Sequence, residues 1–317
     1  MKASSSYLRT LIPFGIIAVC FAITYVINPN ISEGQNLQIL SMEAALLVVA
    51  AIGQMMIMVT GNIDISCSSV MAVAGFTSSF YLKNNQDASI VLPILIALGL
   101  GLLLGLFNGL VIGYGEIPAI IVTLGTLSIY RGVTYIISGS AWVLPKDLTP
   151  EFRAIATGES ILGITNLVWI ALFLCLAAGF FLNYTRMGRN FYAIGSHQHN
   201  AGLIGINIRS TTCLVYIIGG VLFGLTGILL ASRYNFAQNT IASGYELTII
   251  AVAVIGGTSV TGGRGTILGV IAGAILLSFI VNAMNVLKVS PFWKMAIQGV
   301  IILIAVIIDT WLSRRRI

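Results

Sequence analysis

The chain has 317 residues, of which 57% are hydrophobic and only 8% charged, with a formal net charge of +6. A soluble domain carries about 25% charged residues, so the composition excludes a soluble globular protein and a disordered one. The apolar segments are too long and unbroken for β-barrel strands, which alternate over about 10 residues. They leave an all-α integral membrane protein, in which each helix pairs its own backbone polar groups.

A span needs about 20 mostly apolar residues, and the sequence predicts about ten such spans. The first covers roughly 11–27. Lys2 and Arg9 precede it without a small-residue cleavage site, so it reads as a retained span rather than a signal peptide. The second is expected over 42–60, with Glu43 at its outer end, and the stretch Gly61-Asn62-Ile63-Asp64-Ile65-Ser66 then leads into a third that ends near 82. The fourth covers 90–113, with Gly101, Gly105 and Gly109 at intervals of four. Pro118 opens the fifth, 118–138, as proline does at a first helical position. The longest external loop is expected over 142–160, followed by a sixth span over 164–184. Beyond a polar stretch come spans at about 212–231, 247–260, 266–287 and 292–311. All 317 residues read as one membrane domain.

The basic residues set an orientation. With the N-terminus inside, Lys2, Arg9, Arg186, Arg189, Arg209, Arg264 and Arg314 to Arg316 lie on the inner side. Lys83, Lys146, Arg153, Arg233, Lys288 and Lys294 lie outside, and Arg131 falls within a span near its outer end, where it can snorkel. Both termini are then cytoplasmic, and the positive charge follows the membrane flanks rather than a nucleic-acid surface. A faint internal symmetry is visible too. Pro118 and Pro291 open spans five and ten, and spans 2–5 and 7–10 would form an inverted repeat, as is common in transporters.

Few residues offer chemistry. Cys20, Cys67, Cys175 and Cys213 lie far apart in or beside apolar runs, without metal-ligand spacing. His197 and His199, two apart, do not share a helical face. The Gly-rich stretch from Gly262 to Gly265 lacks the Gly-Lys pair of a nucleotide-binding loop, and no such pair occurs anywhere in the chain. Asp64 is costly near a membrane and needs a partner or water, and Asp64 or Ser66 would also cap the third span. Thr123, Thr126 and Tyr130 share one helical face, which suits either a hydrated path or hydroxyls bonded to their own backbone. Asn108, Asn282 and Asn285 read as inter-helix hydrogen-bonding groups.

The polar island 188–208 cannot cross a bilayer, since it holds an arginine, two histidines, three asparagines and four glycines. Phe191, Tyr192, Ile194, Leu203, Ile204 and Ile206 recur through it. It is expected to form two short helices on the membrane surface, with Gly195 as the C-cap of the first and Asn200 as the N-cap of the second.

Four separated motifs carry a resemblance over about 40–311. They are Gly61-Asn62-Ile63-Asp64-Ile65-Ser66, Pro118 to Gly132, Gly188-Arg189-x-x-Tyr192-Ala193-Ile194-Gly195 with Asn200-Ala201 and Gly205-Ile206, and the segments from Ile255 to Trp293. In this set and order the chain resembles the permeases of ABC importers of the ribose type. It departs from the family pattern at Ile65, Ser68, Ser196-His197 and Gly202. The resemblance implies that about 186–209 is the coupling loop to a separate ATPase subunit, with Gly188, Arg189, Tyr192, Ala193, Gly195, Asn200, Ala201, Gly205 and Ile206 as its contact residues. It implies a solute-binding protein outside, a second permease chain, and ATP and magnesium bound only by the partner ATPase. Asp64, Ser66, Thr123, Thr126 and Tyr130 are the expected path residues for a monosaccharide-like solute. An ion-driven carrier and an intramembrane enzyme are the other classes. The first would normally place carboxylates mid-span, and the second needs a catalytic pair or metal cluster that the spans do not offer.

Overall fold

The chain is described here from a computed structural model, which covers Gly15, residues 17–290, and Trp293, Ala296, Gly299, Val300 and Leu303. Its helices are α1 (Ile17–Ile27), α2 (Gly34–Val59), α3 (Cys67–Asn84), α4 (Val91–Gly113), α5 (Ala119–Ser138), α6 (Pro150–Thr157), α7 (Asn166–Tyr184), α8 (Arg186–Ser196), α9 (Gln198–Leu203), α10 (Ile208–Tyr234), α11 (Tyr245–Ile255) and α12 (Ile267–Val286). Six of them, α2, α4, α5, α7, α10 and α12, are long and apolar enough to cross a membrane.

Two helices longer than a bilayer core form the centre. α2 has 26 residues and α10 has 27, which makes each roughly 40 Å long. α2 is almost wholly enclosed by its neighbours and α10 largely so, whereas α4, α5 and α7 turn most of one side outward. In a bilayer that outward side costs nothing, because lipid is as apolar as leucine and helix association relies on close packing. The glycines supply it. A β-carbon on Gly220 of α10 would lie 2.7 Å from the Cα of Gly105 on α4, and one on Gly109 would lie 2.7 Å from the Cys213 carbonyl oxygen. Gly227 meets Gly75 of α3, and Gly269 meets Gly256, in the same way.

Several expectations need correction. The second span begins at Gly34, eight residues before the predicted start at Met42, because Gln35, Asn36 and Gln38 sit on an extra helical overhang. The eighth ends at Ile255 rather than near 260, where Gly256 stops it and Gly257 turns at φ +83°. It is then only 11 residues long. The described residues therefore show fewer membrane-length helices than the ten predicted. The tenth span lies almost wholly outside the described residues, as does the start of the first.

The external loop is also not a plain loop. Thr149 caps α6, which buries Phe152 and Ala156 against the end of α10. There the Ser232 hydroxyl donates to the Phe152 carbonyl and accepts from the Ala156 N–H. A short hairpin follows, β1 (Glu159–Ile161) pairing antiparallel with β2 (Ile164–Thr165). The four cysteines are unpaired, and those at 67, 175 and 213 are buried.

Candidate functional site

Two sites matter: a junction under α8, and a polar cluster at the break between α2 and α3.

The surface helices form as expected, but their caps are elsewhere. Thr185 caps α8, accepting from the Gly188 N–H at 3.0 Å. Gly195 lies inside α8, and His197 both ends α8 and begins α9. Asn200 is an ordinary member of α9. Gly195 is glycine for a different reason. A β-carbon there would fall on the Val59 carbonyl oxygen at the end of α2 and 2.6 Å from the Gly263 nitrogen. Gly263 in turn donates to Val59 at 2.8 Å. A β-carbon on Gly262, whose φ is +91°, would come within 2.8 Å of the Gly195 carbonyl and 2.9 Å of the Gly61 Cα. Three separate stretches of backbone thus touch at one point with no side chain between them.

The other residues expected in the coupling loop divide by face. Gly188 packs on α7, where a β-carbon would lie 2.6 Å from the Leu182 Cα. Phe191, Ile194 and Ala201 are buried. Tyr192 is half-buried and donates to the Gly265 carbonyl at 2.9 Å, and burial raises its phenol above the usual range, which keeps it a donor. Ala193 and Ile206 are half-buried, and Gly205 turns at φ +84° to close the loop onto α10. Arg189 and Asn200 face outward, beside the strongly exposed Leu203 and Ile204. The loop therefore offers an apolar and polar outer face while its inner face is pinned to the bundle. Beside it opens a cavity of about 660 Å³, bounded by Thr60, Asn62, Glu116, Gln198, Arg209 and Thr212.

The polar cluster starts at Asp64, five residues beyond the end of α2. Asp64 Oδ1 accepts from the Ser66 N–H at 2.8 Å and from its hydroxyl at 2.6 Å, so the carboxylate closes the turn that starts α3. Ser66 Oγ accepts from the Asn108 amide at 2.9 Å, and Asn108 Oδ1 accepts from the Tyr130 hydroxyl at 3.0 Å. Gln54 brackets the Asp64 peptide when its amide nitrogen faces the Asp64 carbonyl at 3.1 Å and its oxygen faces the Asp64 N–H at 3.2 Å. The structure therefore joins Asp64, Ser66 and Tyr130 through Asn108, all buried. Thr123 donates to its own helix at Ala119 and reaches the Ile63 carbonyl at 3.5 Å, while Thr126 donates to Thr123. Asn108 bonds between helices as expected, and so does Asn282, which donates to the Asn36 carbonyl. Tyr130→Phe deletes the hydroxyl that holds α5 to α4 and leaves Asn108 Oδ1 short of a donor. A loss of about 1 kcal/mol is expected, read as a lower thermal midpoint in detergent with unchanged expression.

Sequence reasoning missed Gln54, Val59, the role of Gly262 and Gly263, and Tyr216, whose hydroxyl donates to the Ile63 carbonyl at 3.4 Å. A glycine pair at the end of a span, without the lysine of a phosphate loop, was the available signal for close backbone contact. Arg131 donates from Nη1 to the carbonyls of Asn239, at 3.3 Å, and Ile241, at 2.8 Å, in the connector before α11.

A multi-pass helical bundle with a short surface helix pair seated on its central helix is built as a membrane permease. Comparison with known proteins agrees. The family described as branched-chain amino acid transport system / permease component matches residues 36–306. The autoinducer 2 import system permease protein LsrC of Yersinia enterocolitica is 35% identical over 295 residues, covering 92% of this chain and 80% of the relative. The LsrC of Yersinia pseudotuberculosis is 34% identical over the same length, with 82% of the relative covered. The ribose import permease protein RbsC of Haemophilus influenzae is 30% identical over 306 residues, 96% of this chain and 94% of the relative. No solved structure matches. The chain belongs to this family of ABC importer permease components and is a multi-pass inner-membrane protein.

Proposed function

We propose that this permease imports a monosaccharide or a related small polyhydroxylated solute, with energy from a separate ATPase subunit that docks on the outer face of α8 and α9. The observation that carries the reading is the junction of Gly195 with Val59 and Gly263, which ties that surface helix rigidly to the central helix α2. The names of the relatives, ribose and autoinducer 2 import permeases, support the solute class. This chain supplies the path and coupling, a partner ATPase binds ATP and magnesium, an external binding protein delivers solute, and a second permease chain, identical or paralogous, completes the path. Asp64, Ser66, Thr123, Thr126 and Tyr130 form the hydrogen-bonded wall beside that path. The termini are cytoplasmic, with α8 and α9 on the same side. Ten spans arranged as an inverted repeat account for the likeness between its halves, since α2 and α10 are each followed by an irregular polar connector and a shorter helix. An ion-driven carrier has less support, because Glu43 is ion-paired with Arg233 and Asp64 is held by Ser66.

The test is a pull-down of the tagged chain from its native membrane beside a variant with residues 190–205 replaced by a Gly/Ser linker. An ATP-binding subunit is expected with the native chain and not with the variant. If neither form recovers one and the native chain still transports, the coupling assignment fails.

A further inference from the structure

A long stretch of the chain carries no negative charge. Between Glu159 and Glu246 there is no aspartate or glutamate, while Arg186, Arg189, Arg209 and Arg233 fall within it. Arg209 and Arg233 find carboxylates elsewhere in the chain, at Glu116 and Glu43. Arg186 and Arg189 are exposed and belong to none of the ion pairs among the described residues. Arg189 donates to the Tyr184 carbonyl at 3.4 Å. Both arginines line a cavity of about 430 Å³ that opens between the start of α8 and the start of α10. Asn190, Asn207 and Ser210 add polar groups to its wall, and no acidic residue lines it. The capped ends of α8, at Thr185, and of α10, at Asn207, adjoin the same space, and helix N-termini lean positive.

The cavity also adjoins the lipid-facing side of the bundle. Phe173, Leu176, Phe180 and Tyr184 of α7 are all strongly exposed and recur at intervals of three and four, so they form one stripe along that helix. The Phe180 and Tyr184 rings stack with centroids 5.3 Å apart. A tyrosine at the end of an apolar span marks the level where acyl tails give way to headgroups. Arg186 follows two residues later, which sets the cavity at headgroup depth. Met187 and Ile204, in its lining, are exposed apolar side chains.

We propose that this cavity binds the phosphate of an anionic phospholipid whose acyl chains lie along the exposed stripe of α7. Guanidinium groups bind phosphate oxygens through paired N–H donors, and the Asn190 amide and Ser210 hydroxyl are further donors. Basic pockets between membrane helices are a recurring form of anionic-lipid site. A free phosphate ion would use the two cations but would have no use for Met187, Ile204 or the α7 stripe. A zwitterionic lipid brings its own cation, which the arginines repel. The bound headgroup bridges the start of α8 to the start of α10. This inference goes beyond the importer reading and does not depend on which solute is carried.

The experiment is native mass spectrometry of the full chain in mild detergent, titrated with phosphatidylglycerol or phosphatidylcholine. The native chain is expected to retain phosphatidylglycerol at least tenfold more tightly than phosphatidylcholine. The double variant Arg186→Gln/Arg189→Gln is expected to lose that preference, by about tenfold or more, the scale for two basic side chains beside an anionic lipid. Arg209→Gln, which removes an equal charge from the neighbouring Glu116 pair, is expected to keep it. Equal retention of the two lipids by the native chain overturns the site, and that comparison needs no variant to fold. An equal loss in Arg209→Gln reduces the effect to general positive charge and overturns it too. Displacement of phosphatidylglycerol by millimolar inorganic phosphate would make the ligand a free ion. Loss of the lipid when the ATPase subunit is bound would give the cavity to an acidic side chain of that partner. Either result removes the lipid assignment, while the importer reading stands or falls on its own pull-down.

Discussion

Gly195→Ala is expected to reduce uptake by about tenfold or more, and Gly195→Glu to abolish it, with normal amounts of both proteins in the membrane. The reason is steric. Even a methyl group at 195 collides with the Val59 carbonyl and the Gly263 nitrogen, and these are backbone atoms with no rotamer to retreat into. Overpacking of this kind costs about 1–3 kcal/mol, and about 1.4 kcal/mol is already a factor of ten in an equilibrium. The strain falls on the seating of α8, because α2 is locked on all sides by α10, α12, α7 and α11. The bundle should therefore insert and fold while the surface helix is lifted from its seat. Uptake and ATP hydrolysis, measured in the assembled complex, check this. Hydrolysis that persists without uptake is the expected pattern for Ala. Normal uptake by Gly195→Glu would remove the coupling role from this helix. Gly125→Ala is the matched control, because a β-carbon there meets nothing within 4 Å.

What the sequence revealed depended on whether a signal was local. The long helices were legible because each carries its own hydropathy, and α8 and α9 were legible as a polar interruption. Gly195 reads as a helix C-cap in the sequence, whereas it lies inside α8 against Val59 and Gly263. Glycine marks both a left-handed cap and a close backbone approach, and the two differ only in what lies opposite. What lies opposite is Val59 and Gly263, remote in sequence and invisible to any window. Asp64 was equally legible as an anomaly, while its link to Tyr130 runs through Asn108 on another helix.

Arg131 shows the other limit. Hydropathy assigns 232–246 to an external loop because it is polar. The connector is tied at Ala237 to Val143 of the 142–160 loop, and the Arg131 guanidinium holds two of its carbonyls. α11, Tyr245–Ile255, follows this connector and is only 11 residues long. Irregular backbone is tolerated at membrane depth only where protein or a watery cavity surrounds it. This applies to Gly61 to Ser66 at the end of α2, where Gln54 and Asp64 pair the loose peptide groups. The Ile63 carbonyl in that break also accepts from Thr123 of α5 and Tyr216 of α10, and the break sits beside the α8 junction.

Gly220→Leu is the second change with a large expected effect, and its consequence is loss of the fold rather than of coupling. Along the seam of α4 and α10, Gly101, Gly105 and Gly109 face Gly220, Gly224 and the backbone of Tyr216 and Cys213. A leucine at 220 would push directly on the Gly101 carbonyl and on Gly105, whose Cα lies 2.7 Å from the new β-carbon. The helices must then separate along their whole contact. In lipid no hydrophobic term draws them together again, since side chains and acyl tails are equally apolar. Separation would also pull Asn108 on α4 away from Ser66 and Tyr130, leaving polar groups unpaired in the bundle, at about 1–3 kcal/mol each. The expected result is a protein that inserts but aggregates on detergent extraction, with a collapsed peak in size-exclusion chromatography and rapid trypsin cleavage. Gly220→Ala should be intermediate, because a single methyl still meets the Gly101 carbonyl. A monodisperse, trypsin-resistant Gly220→Leu protein would mean that the seam does not hold α4 to α10.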